Sequence, residues 1–265
     1  MNEAIGWVWA AVLGLCVGSF LNVVIHRLPA VAIDPEASIW RALWQPGSHC
    51  PQCGHPLPAR HLVPVLSWLL LRGRCAFCQH PIARRYLWVE LATGVLWLLC
   101  AAQWGLSIEG ALWAVFASAL LALALIDADT HLLPDALTQP LLWLGLLASQ
   151  QQWLALPLSE AVVGAMLGYA SLWLVATVFE HLTGKIGMGA GDFKLLAALG
   201  AWLGPWALLP LVLMASVVGA VVGLLLQRRG QLPSGGYMPF GPFLAMAAAV
   251  MMLRGPELLQ AVLVA

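Results

Sequence analysis

Charge is the scarcest commodity in this chain. Of 265 residues only 9% are Asp, Glu, Lys or Arg, while 62% are hydrophobic; a soluble domain carries roughly 25% charged residues. Mean hydropathy is +0.87. So few charges cannot keep a surface wet, which excludes an ordinary soluble domain and calls for lipid over much of the chain. No basic residue precedes the first apolar stretch, about 4–25. That stretch is long enough to span, so it reads as a membrane helix and not as a cleavable signal peptide. Tyrosine is scarce, three against fourteen Trp, and indole rings suit helix ends at headgroup level. No internal repeat or low-complexity segment is evident.

What is present is a succession of apolar stretches. After the first come about 86–104, 109–126, 136–150, 158–179, 193–204, 207–226 and 237–253, which predicts an all-α, polytopic membrane protein with about eight transmembrane helices. A span needs about 20 residues, so 136–150 and 193–204 are short, and 193–204 could merge with its successor around Pro205 and Pro210. The pairs Gly164/Gly168 and Gly219/Gly223 are spaced for close helix packing. The expected organisation is a first helix over 1–26, a loop over 27–85 and a multi-helix core over 86–265.

The loop holds seven Arg against two acids, Asp34 and Glu36, and the rest of the chain holds five Lys or Arg against ten acids. Such asymmetry records topology: the basic loop lies in the cytoplasm and the N-terminus outside. Threading eight spans from there satisfies ten of the twelve positive charges, with Lys194 and Arg254 the exceptions. The Arg-rich stretch lacks the interleaved aromatics and Lys clusters of a nucleic-acid surface, so no nucleic-acid partner is expected.

Four of the six cysteines fall in two knuckles, Cys50-Pro51-Gln52-Cys53 and Cys75-Ala76-Phe77-Cys78, with 21 residues between them. Paired C-x-x-C knuckles suit a tetrahedral structural zinc, in a zinc-ribbon-like loop. Two disulfides are the alternative, disfavoured in a reducing cytoplasm; a redox dithiol would need a βαβ setting that is missing. His49, His55 and His80 are candidate stand-ins for one Cys. The loop has little aliphatic material beyond 62–71, so metal binding would supply folding free energy directly. Cys16 and Cys100 fall within spans and read as apolar filler.

Among the acids, Asp127 ends a run, 111–126, in which Ser118 is the sole polar side chain. Ionisable groups so placed are functional candidates. On a helix Asp127 and Asp129 lie about 200° apart, so only one can face a helix bundle, and Asp127 is nearer the membrane. The competing reading is a helix end capped by solvated acids. Asp192 follows Gly187-Met188-Gly189-Ala190-Gly191, whose alternating glycines permit positive φ and close backbone approach. A Gly-rich run before a helix also resembles a nucleotide loop, but that loop follows a β-strand, and here an apolar helix precedes it. Two carboxylates at span ends suggest a pair sharing one proton, one acting as base on water and the other protonating the carbonyl oxygen or leaving amine.

These residues together resemble the type IV prepilin peptidases, of the GxGD class of aspartic membrane proteases. The resemblance rests on Gly18-Ser19-Phe20-Leu21-Asn22 through Pro29, the two knuckles, Arg85-Tyr86 through Glu90-Leu91, Asp127 with Leu133-Pro134-Asp135, the segment 187–204, and Pro239-Phe240-Gly241-Pro242-Phe243. It implies Asp127 and Asp192 as the catalytic pair, with no role assigned to Asp129. It implies removal of a short basic leader from type IV prepilins and pilin-like secretion subunits at the cytoplasmic face of the bacterial inner membrane, in pilus biogenesis or type II secretion. With four cysteines in the loop it also implies N-methylation of the new N-terminal residue from S-adenosylmethionine, whose site the sequence does not place. The rival readings are a peptidase without methyl transfer, a carboxylate-coupled transporter, and a protease cutting deeper in the bilayer.

Overall fold

The computed structural model describes residues 3–34, 37–185, 187–230 and 238–264, with side chains for 4–254 of these. It divides into two compact units, Met1–Ala122 and Leu123–Ala265. Among the described residues there are helices and isolated bridges and no strand.

In the first unit, α1 (Glu3–Ile33) leads into α2 (Ile39–Trp44), a short 3-10 turn (Ala59–His61), α3 (Leu66–Leu70), α4 (Arg84–Trp104) and the first part of α5 (Ile108–Thr130). Helix α1 thus runs on to Ile33, past the expected end at residue 26. It lies against α4 almost backbone to backbone. A Cβ on Gly14 would sit 2.9 Å from the Gly94 Cα, and one on Gly18 2.7 Å from the Glu90 Cα. That is how small residues let membrane helices associate where lipid removes the hydrophobic drive. Asn22 Nδ2 donates to the Tyr86 carbonyl at 3.1 Å, one turn further along the same seam.

The second unit takes the end of α5 and then α6 (Asp135–Gln150), α7 (Leu158–Thr183), α8 (Ala190–Leu203), α9 (Pro205–Arg228) and α10 (Gly241–Val264). Each of the eight expected apolar stretches is therefore a helix. Five of them, α1, α4, α5, α7 and α9, are long and apolar enough to cross a membrane. Helix α8 is the instructive exception. At 14 residues it is about 21 Å long, short of the roughly 30 Å hydrocarbon core. It does not need that length, because it is interior: every residue from Leu195 to Trp202 is buried, with α6, α7, α9 and α10 packed on it. It stays separate from α9, because Gly204 turns the chain at φ 79° between them.

The first of the two glycine pairs is a backbone contact. A Cβ on Gly164 would collide with the carbonyl of Gly200, and one on Gly168 would lie 2.5 Å from the Leu196 carbonyl oxygen. The second pair faces side chains, Gly219 meeting Phe243 and Gly223 meeting Met238 at ordinary distance. On the outer helices Met166, Leu174, Val175, Val217 and Leu224 are exposed. Continuous apolar faces of that kind mark a membrane surface; the chain is a multi-pass membrane protein.

Candidate functional site

The knuckles lie in the first unit. Cys50 N–H donates to the His55 carbonyl at 3.0 Å and Gly54 N–H to the Cys50 carbonyl at 2.8 Å. In the second knuckle Cys75 N–H donates to the His80 carbonyl at 2.9 Å and Gln79 N–H to the Cys75 carbonyl at 3.0 Å. Gly54 and Gln79, each just after a knuckle's second Cys, take positive φ, 67° and 58°. Antiparallel bridges, His49 to Pro56 and Arg74 to Pro81, close the two turns. The loop therefore contains a short repeat, Cys-x-x-Cys-x-His-Pro, at 50–56 and 75–81, contrary to the expectation of no repeat. Its period is shorter than a helical hairpin, so hydropathy does not reveal it; Gly54 also hides its match to Gln79.

The four Cys Sγ atoms lie within 4.8 Å of one another, a cluster able to hold a metal ion. Cys50 and Cys78 Sγ are 3.8 Å apart, far beyond a disulfide's roughly 2.05 Å and close to the edge of about 3.8 Å that a tetrahedron with 2.3 Å metal–sulfur bonds requires. All four are free thiols. No His is needed to complete the set: His49 Nδ1 pairs with the Gly47 carbonyl at 2.9 Å and His55 stacks on Phe77. Backbone N–H groups of Cys53 and Gln52 pull the Cys50 thiol down to about 6. The Cys78 thiol, despite a backbone donor at His80, is pushed up to about 12 by desolvation and by three neighbouring sulfurs. Four crowded sulfurs cannot all carry charge unless a cation joins them.

A buried carboxylate ties the loop to its helices. Glu90, 9% exposed on α4, accepts the Val65 backbone N–H at 2.7 Å. Val65 caps α3 at φ 61°, a backbone region that β-branched residues avoid. Nothing in the hydropathy pattern signals this anchor.

Both singled-out aspartates lie in the second unit. Asp127, in the last turn of α5, is 5% exposed, while Asp129 is exposed to solvent. As the 200° separation requires, only one of the two faces inward, and it is Asp127, the one nearer the membrane. Helix α5 ends at Thr130, and His131 at φ 55° turns the chain toward Pro134, which opens α6. Asp192 stands in the first turn of α8 behind the N-cap Gly189. Its Oδ1 is buried with no hydrogen-bond partner among the described residues.

Of the two things the glycines before Asp192 permit, close approach is the one used. Gly189 takes φ −80° and Gly191 lies within α8; Gly191 matters for space, because a Cβ there would be 2.9 Å from Leu133 Cβ. Two contacts escaped the sequence reading altogether. Gly241 N–H donates to Asp127 Oδ2 at 2.9 Å, and Lys194 Nζ bridges both oxygens of Asp135 at 2.8 Å. The ends of α5, α6, α8 and α10 thus gather at one place, where the two carboxylates stand. Such a pair suits general acid–base chemistry on a water and a peptide carbonyl.

The chain is similar to known proteins along nearly its whole length. Residues 12–104 match the model of the bacterial peptidase A24 N-terminal domain, and residues 114–224 that of the type IV leader peptidase family. A prepilin leader peptidase/N-methyltransferase of Stutzerimonas stutzeri is 45% identical over 94% of this chain and 91% of its own length. Proteins of the same name from Pseudomonas aeruginosa (44%; 93% and 89%) and Neisseria gonorrhoeae (43%; 96% and 92%) are similar over comparable shares. No solved structure matches. With relatives this similar along nearly the whole chain, the protein belongs to the type IV leader peptidase family.

Proposed function

We propose that this protein is an aspartic endopeptidase of the bacterial inner membrane that removes the leader of type IV prepilins and pilin-like subunits at the cytoplasmic face, and that it then N-methylates the new N-terminal residue with S-adenosylmethionine. The observation that carries the reading is the placing of Asp127 and Asp192: one buried at the end of α5 and bonded to Gly241 N–H, the other opening α8 with a buried oxygen that has no hydrogen-bond partner among the described residues, and Leu133 packed against both Gly191 and Gly241 beside them. Family members matched over nearly their full length are named prepilin leader peptidase/N-methyltransferase, joining the two activities.

The chemistry follows from a shared proton. One carboxylate takes a proton from water as its oxygen attacks the scissile carbonyl, while the other gives its proton to the carbonyl oxygen. When the resulting diol collapses, the first passes the water's proton to the leaving amine and the second takes a proton back from the diol, so the pair is restored and one water is consumed per bond cut. Gathering these groups where four helix ends meet suits a substrate that enters sideways along the membrane while its basic leader stays in water. The cluster of Cys50, Cys53, Cys75 and Cys78 would hold a structural zinc that folds the loop.

Purified protein in detergent, given a prepilin with and without methyl donor, tests the reading. Asp127→Asn and Asp192→Asn keep the side-chain shape but cannot hold the proton, so each should lower cleavage by at least about 10²–10⁴-fold. Asp129→Asn should keep substantial activity. Cleavage surviving in Asp127→Asn and lost in Asp129→Asn would overturn the assignment.

A further inference from the structure

The segment Pro239-Phe240-Gly241-Pro242-Phe243 has no part in the acid–base scheme above, yet it ends at the catalytic pair. It opens α10 and delivers the backbone N–H of Gly241 to Asp127 Oδ2 at 2.9 Å, in a buried position. A donor there joins the positive end of a helix to a carboxylate out of bulk water, where a charge-assisted hydrogen bond is strongest.

Space decides which residue can stand at that position. A Cβ on residue 241 would lie 2.6 Å from the same Oδ2 and 3.1 Å from the carboxyl carbon. It would also lie 3.2 Å from Leu133 Cδ2, while a Cβ on Gly191 would lie 2.9 Å from Leu133 Cβ. Leu133 is thus wedged between two glycines, one beside Asp192 in sequence and one bonded to Asp127. Any side chain at 241 pushes on the carboxylate or on this wedge.

We propose that Gly241 is a positioning residue for the peptidase reaction: its backbone N–H, admitted by the missing side chain, pins Asp127 Oδ2 and leaves the other carboxylate oxygen to face the reacting water. The proposal rests on the reading of Asp127 and Asp192 as the catalytic pair. Without the pin, the carboxylate of Asp127 is free to turn about its terminal torsion, and misplacement of about 1 Å at a reacting centre costs about 10²-fold in rate. Substrate binding along the membrane helices does not pass through this bond, so the loss should fall on kcat and spare KM.

The test is Gly241→Ala in the full chain, purified in detergent and assayed on a prepilin. Expected is a kcat about 10²-fold lower with KM within about twofold of the parent. Gly219→Ala, whose new methyl would meet Phe243 at an ordinary 3.4 Å, should keep the parental kcat. Thermal melting supplies a readout independent of activity. Because the added methyl collides with Asp127 itself, Gly241→Ala should lower Tm in the parent and much less in an Asp127→Ala background. If Gly241→Ala does not fold alone, folding of the double variant supports the proposal and its failure to fold overturns it. Parental kcat in Gly241→Ala, a rise in KM alone, or the same Tm loss in both backgrounds also overturns it. Asp127→Asn assayed in parallel separates the two readings: cleavage by that variant defeats the catalytic assignment, whereas a dead Asp127→Asn beside a fully active Gly241→Ala defeats only the positioning role.

Discussion

Lys194 Nζ sits 2.8 Å from both carboxylate oxygens of Asp135, joining the second turn of α8 to the first residue of α6. The pair flanks the site, since Asp192 lies two residues before Lys194 and the Leu133 wedge two before Asp135. It also explains why a lysine stands just inside an apolar stretch, against the positive-inside trend. Both partners are partly exposed, at 30% and 61%, so solvent screening limits the pair to about 0–1 kcal/mol. Lys194→Met should therefore lower Tm only slightly, while cleavage falls several-fold through loosening of α8. The charge-reversed double variant Lys194→Asp/Asp135→Lys should recover part of that loss. Equal cleavage in the parent and in Lys194→Met would show the pair to be mere surface decoration.

The glycine contacts between α7 and α8 make a sharper stability prediction. Gly164 and Gly200 each place hydrogen where a methyl would strike the other's carbonyl. Gly200→Ala cannot be absorbed by a rotamer change, because the obstacle is backbone, so it should cost about 1–3 kcal/mol or more. Gly219→Ala meets only the Phe243 ring at 3.4 Å and removes a helix-interior glycine, which should gain up to about 1 kcal/mol. Chemical or thermal unfolding in detergent ranks the two. Equal effects would mean that α7 and α8 do not approach through their backbones.

Metal content tests the loop. One zinc per chain is expected, lost on paired Cys→Ser changes at 50 and 53 or at 75 and 78. Its ligands must be thiolates, so affinity falls as pH drops and binding at neutral pH releases protons. Cys50, drawn down to about 6, is already mostly ionised there, whereas Cys78, pushed up to about 12, would release its proton to the buffer only as the metal takes its sulfur. Calorimetry in buffers of differing ionisation enthalpy should thus show net proton release when zinc enters the metal-free protein. Chelation should open the 27–85 loop to limited proteolysis. Protein free of zinc but with two disulfides by mass spectrometry would refute the site.

How much of this was legible in advance depended on the kind of signal. Hydropathy located all eight helices, because lipid demands long apolar stretches whatever their partners. It could not tell that α8 is interior, since a helix buried in protein and one facing lipid have the same composition. The knuckles were legible because metal ligation fixes spacing, and Asp127 was picked over Asp129 by helical angle together with its place nearer the membrane. What escaped were contacts made through backbone: Gly241 N–H on Asp127, the Glu90 bond to Val65 N–H, and Leu133 between Gly191 and Gly241. A backbone donor has no letter in the sequence, and a glycine needed for space reads the same as one needed for a turn. Before Asp192 the glycines permitted either, and at Gly191 it is the close approach that is used.

The last prediction separates the two proposed activities. Hydrolysis needs a carboxylate pair to activate water and protonate the leaving amine. Methyl transfer needs neither. The lone pair of a neutral terminal amine attacks the sulfonium methyl in line, the carbon–sulfur bond breaks with its electrons going to sulfur, and the amine nitrogen then sheds a proton. If the aspartates serve hydrolysis alone, Asp192→Asn should still methylate a mature pilin supplied without its leader. Paired Cys→Ser changes in the loop should show the opposite pattern, lowering methyl transfer more than cleavage, because a loop without metal loses its fold while Asp127 and Asp192 belong to the other compact unit. Mature pilin and labelled methyl donor, offered to each variant, give the answer as label on the terminal residue. An Asp192→Asn protein that melts normally yet transfers no methyl would show that both reactions draw on the same carboxylates.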